Sequence, residues 1–171
     1  MWQHTGTHRP EFALEPGPGQ ESVWDYPRPP SIEAEQRLVE VKYKQTLIAR
    51  SNQIYRVLET ASPPTFYLPP EDIDFQYLKE NTSSSFCEWK GQASYFDLQH
   101  ENSLIQNVAW CYRNPLPRFV LIKDYVCFYP SRLDCFVDGA KVKPQTSDYY
   151  GGWITPEIVG PFKGDPGTET W

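Results

Sequence analysis

Proline limits what this chain can become more than any other residue. Seventeen of the 171 residues are proline, about twice the average usage of roughly 5%. Each removes a backbone donor and fixes φ, so it interrupts helices and central strands alike. The prolines crowd into WDYPRPP, SPPTFYLPPEDI and NPLPRF, and short apolar runs lie between them. The apolar stretches are rich in aromatics, with 6 Trp, 11 Tyr and 9 Phe, residues that favour a pleated, half-buried surface. The chain therefore reads as mostly β (α+β), with short strands joined by irregular loops.

The strands can be placed. LVEVKYK alternates apolar and polar residues, QT links it to LIARS as a hairpin, and IYRVLE follows as a third strand. Two Pro-Pro pairs bracket TFYL, and the second opens a helical turn with Glu71 and Asp72 at its positive end. CEWKG and ASYFDLQH come next, then the turn HENS and the strand LIQNVAWCY. NPLPRFVLIKD predicts a short helix with Phe119 and Ile122 facing inward. YVCFYP, RLDCFVDG and KVKP complete a core domain over residues 38–144. Residues 1–37 and 145–171 lack a periodic apolar face and read as arms packed on that core, pinned by Trp24, Tyr26 and Trp153. A chain of this length forms one domain and buries about 70% of its unfolded surface without a staple.

Charge and cysteine usage narrow the functional classes. The net charge is −6 with no cluster of Lys and Arg, which argues against a nucleic-acid partner. No apolar run approaches the roughly 18 residues of a membrane span, and MWQHTGTHRP has no apolar leader core, so a cytoplasmic protein with no membrane partner is expected. Cys87, Cys111, Cys127 and Cys135 form no CxxC pair, so neither zinc nor another cofactor is expected, and all four read as small hydrophobes. Phosphate-binding loops, GxGxxG, HExxH and GxSxG are absent.

The candidate site centres on FCEWKGQASYF. In a regular strand Cys87, Trp89, Gly91, Ala93 and Tyr95 share one face, and a bulge at Gly91 turns Lys90 toward Trp89. The same parity groups Val108, Trp110 and Tyr112. Aromatic walls of this kind suit a planar ring or a cationic head group. Glu59, after IYRVL and before a Pro-rich turn, sits where a carboxylate would reach the rim. The candidate ligand-binding residues are Glu59, Tyr67, Cys87, Trp89, Lys90, Tyr95, Trp110 and Tyr112, and the expected partner is a small molecule. Two other readings use the same chain. One is an enzyme with Cys87 as nucleophile activated by Lys90, or Glu59 as general base. The other is a protein-interaction module working through its arms, with PRPP as a polyproline ligand. A Cys–His pair is poorly supplied, because two of the three histidines, His4 and His8, lie in the first arm and the third is His100.

These stretches resemble the family labelled domain of unknown function 427. The matching residues are VLETASPPTFYLPPEDI, CEWKGQASYF, VAWCYRNPLP with IKDYVCFYP, and VDGAKV, across about residues 38–142. WDYPRPP and YGGWIT with PFKGDPGTETW resemble the arms of longer members. The resemblance implies a β-tent of two small antiparallel sheets pitched against each other, with one or two short helices. Other β-tent proteins hold zinc through paired CxxC motifs or bind small molecules in a cage of tryptophans; this chain lacks the zinc pairs. Many members carry a histidine where this chain has Ser62, so no role for that histidine transfers. A nucleotidyltransferase label sometimes attached to the family lacks its signature here, a GS turn followed by a spaced pair of aspartates.

Overall fold

A computed structural model describes all 171 residues. The strands in order are β1 (Glu21–Ser22), β2 (Ser31–Glu35), β3 (Val39–Tyr43), β4 (Thr46–Ser51) and β5 (Ile54–Leu58). Next come β6 (Thr65–Tyr67), β7 (Leu78–Cys87), β8 (Gly91–His100), β9 (Ser103–Cys111) and β10 (Val126–Phe128). The last five are β11 (Asp134–Val137), β12 (Ala140–Lys141), β13 (Lys143–Pro144), β14 (Trp153–Ile154) and β15 (Ile158–Val159). The helical residues are four short 3₁₀ turns. Two of these match the sequence reading: Pro70–Asp72 at the second Pro-Pro pair, and Pro117–Ile122, where Phe119 and Ile122 are buried.

The fold is mostly β, made of several small antiparallel sheets. One has the order β2-β5-β6, a second β12-β11-β3-β4 and a third β10-β9-β8-β7. Reciprocal backbone bonds of 2.9 Å between Leu68 and Val126 join the first sheet to the third. A core of 21 buried residues lies between them, with Phe66 stacked on Trp153 at 4.8 Å. The four cysteines are free, and no three His, Cys, Asp or Glu side chains gather as a metal site. No helix is long and apolar enough to cross a membrane.

Three features differ from the reading of the sequence, each for a physical reason. CEWKG is not a strand: β7 ends at Cys87, Glu88–Lys90 is a three-residue hairpin connection, and β8 starts at Gly91. Gly91 closes that turn with φ +102°, a conformation side chains strain to reach. β7 itself, LKENTSSSFC, carries no apolar alternation because it is an edge strand, mostly exposed and paired only with β8. Val108 does not join Trp110. An irregularity between Phe96 and Leu98, with Asn107 at φ +52° and its N–H bonded to Asp97, breaks parity and sends Val108 into the main core.

The arms are structural parts of the domain. β2 lies in the first arm and pairs with β5 along its whole length. β1 runs parallel to β15, so the two arms pair with each other as well. Trp24 and Trp153 are both fully buried. The Trp24 indole donates to the Pro161 carbonyl at 3.1 Å, and the ring meets Trp171 at 5.1 Å.

Candidate functional site

Strand alternation divides the third sheet and β6 into two faces. Phe66, Phe96, Cys111, Val126 and Phe128 belong to the main core. Their neighbours Tyr67, Tyr95, Trp110, Tyr112 and Cys127 belong to a second, smaller cluster on the opposite face. Tyr95 and Trp110 are cross-strand partners in the β8–β9 register. This second face floors a cavity of about 460 Å³, within the range typical of small-molecule sites.

All eight residues singled out from the sequence line this one cavity. The hairpin turn brings Cys87, Trp89 and Lys90 to its edge. Tyr67 accepts a hydrogen bond from the Trp110 indole at 3.3 Å, and Trp110 packs on Tyr129 with centroids 4.6 Å apart. Tyr95 bonds the Ser85 hydroxyl at 2.7 Å. Burial pushes the Tyr67 and Tyr112 phenols well above their ordinary values, so both stay neutral. Glu59 follows β5 at the rim, where the buried Arg28 guanidinium reaches it at 3.2 Å. Arg28 also donates to the carbonyls of His4 and Thr60, so PRPP is tied into the body. Ser62 is on the wall too.

The two basic side chains differ in how they are held. Lys90 is only 9% exposed. Its ammonium has neither a carboxylate within 4 Å nor a hydrogen-bond partner, and it lies over the Phe119 ring at 5.9 Å. Its backbone is fixed by the Leu116 N–H donating to the Lys90 carbonyl at 3.0 Å. The adjacent Trp89 indole N–H is buried and unpaired. Lys163 enters from the second arm, with Nζ 4.0 Å from the centre of the Trp2 ring. Burial holds its ammonium below the ordinary value, and the Arg28 guanidinium pushes the same way against Glu59, Glu88 and Glu169.

The arms supply what sequence reasoning missed. Trp2 donates to Glu88 at 2.9 Å across the cavity edge. Gly151 lies so close to Trp110 that a Cβ there would run into the indole ring. The Gly152 N–H donates to Gln145 at 2.8 Å, and Gln145 in turn donates to the Lys163 carbonyl. The close approach of the glycine pair of YGGWIT to an aromatic wall has no local signature. The one hint was the departure from polar, loop-like composition at Trp2 and Trp153.

The cavity is poorly supplied with the partners of a Cys–His pair. No histidine lines it: His4 packs on Trp24 at 5.1 Å, and His100 bonds Thr46 at 2.8 Å. Cys111, Cys127 and Cys135 are buried, and burial raises their thiols, Cys111 to about 11. Only Cys87, half-buried, reaches the cavity.

The family model described as Domain of unknown function (DUF427) matches residues 31–139. The chain belongs to the DUF427 family. The matched span begins at β2, inside the first arm, and ends just after β11, so the DUF427 segment carries the floor of the cavity. Trp2, Lys163 and the glycine pair lie outside it. No curated protein matches this DUF427 chain.

Proposed function

We propose that this protein is a small-molecule binding module whose ligand has a flat apolar body and one anionic group. Lys90 carries the reading: a lysine whose side chain is nine-tenths buried on the wall of an aromatic cavity, with no carboxylate of its own. A buried charge without a partner is strongly penalised, so a ligand anion there gains more than a surface contact would. The tyrosines and tryptophans supply apolar walls for a ring, and the Trp89 indole adjoins Lys90 as a second donor. Aromatic walls alone also suit a cationic head group. Lys90 on the wall favours the anion, because it repels a cation at short range in a low-dielectric site, while Glu59 is engaged by Arg28 and Glu88 by Trp2.

Calorimetric titration with a matched series tests this: 2-naphthoate, 2-naphthylmethanol and 2-naphthylmethylamine. The carboxylate should bind at least ~10-fold more tightly than the amine, a difference of about 1.4 kcal/mol. The reverse order would overturn the reading.

A further inference from the structure

We propose that Lys163 is a carbonyl-capturing amine, condensing with an aldehyde or ketone group on the molecule held in the cavity. The inference rests on the binding reading above and adds covalent chemistry to it.

Several observations support it. Lys163 is 5% exposed yet lines the cavity. No Asp or Glu side chain lies within 4 Å of its nitrogen, whose one polar contact is a backbone oxygen of Trp171 at the long distance of 3.5 Å. The Trp2 face beside it would favour an ammonium, but the same ring carries the Arg28 guanidinium at 4.2 Å, so two cations compete for one aromatic quadrupole. Arg28 cannot lose its proton, so the lysine is the member that relieves the repulsion. Glu59, the nearest compensating carboxylate, is already engaged by Arg28 at 3.2 Å. Burial and the neighbouring cation accordingly lower the Lys163 ammonium from its ordinary value, the environment that makes lysines nucleophilic. The backbone is held on both sides, with the Lys163 N–H donating to Ala61 at 2.8 Å and its carbonyl accepting from Gln145. The amine is therefore presented from a fixed point.

The step is a condensation. The Nζ lone pair attacks the carbonyl carbon and forms a C–N bond, while the π pair moves to oxygen, which takes up a proton. The carbinolamine then loses its hydroxyl as water as C=N forms. Both amine hydrogens end on the released water, and no oxidant or reductant is consumed.

The full-length protein can be incubated with 6-formyl-2-naphthoate and cyanoborohydride, which reduces any imine to a stable secondary amine. Site-resolved mass spectrometry then follows labelling at Lys163 and the other seven lysines. Lys163 should label at least ~10-fold faster than the exposed lysines, because the cavity holds the aldehyde beside its amine. Saturating 2-naphthoate should suppress that labelling, and Lys163→Arg should abolish it. Labelling of Lys163 no faster than that of the surface lysines would overturn the proposal in the wild-type protein, whatever the variant does, and leaves the titration of 2-naphthoate to judge the binding reading. Fast labelling that 2-naphthoate does not slow keeps the carbonyl chemistry and contradicts the anionic ligand.

Discussion

Phe66 and Tyr67 are neighbours in β6, yet they enter opposite kinds of interior. Phe66 stacks on Trp153 in a sealed core, where the Trp153 indole donates to the Phe128 carbonyl at 2.9 Å. Tyr67 faces the cavity, where the Trp89 indole has no acceptor and Lys90 has no counter-ion. The same strands supply both faces, and the cavity face is the richer in aromatic residues. The difference lies in polar satisfaction. Natural interiors pair nearly all their buried polar groups, and an unpaired one costs about 1–3 kcal/mol. The core face follows that rule, and the cavity face departs from it at adjacent residues. A protein optimised only for stability would close the second face as it closed the first.

Substitutions on each face test the contrast. Trp153→Ala should lower stability by about 3–5 kcal/mol in chemical denaturation, because it empties a packed site and strands the Phe128 carbonyl. Trp89 is half-buried, so Trp89→Ala should cost only about 1–2 kcal/mol while weakening 2-naphthoate binding sharply. Equal losses at the two tryptophans would erase the distinction. Gly151→Ala should cost about 1–3 kcal/mol, since its Cβ drives into the Trp110 ring. It should also alter binding, because the displaced ring is a cavity wall.

The buried phenols give a pH signature for the cavity face. Tyr67 and Tyr112 have folded values raised above the unfolded value of about 10. Their stabilisation is complete below about pH 10 and is lost as pH rises beyond it, when the unfolded chain releases protons the folded one retains. Denaturation measured across that window should show falling stability, and Tyr112→Phe should lessen the slope. An unchanged slope would mean that Tyr112 ionises freely when folded.

Much of the cavity face was legible because its information is local. TFYL, ASYF and AWCY each place an aromatic residue on a strand of definite alternation, and register then brings Tyr67, Tyr95 and Trp110 together. Tent-like packing of small sheets was implied by the family resemblance, and proline spacing pointed only to short strands and irregular loops. Hidden features depend on contacts distant in sequence. β7 is a polar edge strand, defined by its partner β8 and not by its own pattern. The Asn107 irregularity is stabilised by Asp97 on another strand, so parity along LIQNVAWCY could not reveal it. Trp2 and Lys163 reach the cavity from opposite ends of the chain, held there by the Trp2 bond to Glu88 and the Lys163 bond to Ala61.

Lys90→Met measures the trade between the two faces most directly. The substitution keeps the apolar stem and deletes a buried charge that no group in the protein balances. The account predicts stability within about 0.5 kcal/mol of wild type, or above it, together with 2-naphthoate binding weakened at least ~10-fold, about 1.4 kcal/mol. A loss of more than about 2 kcal/mol in stability with 2-naphthoate binding unchanged would contradict it, because Lys90 would then hold the fold rather than wait for an anion.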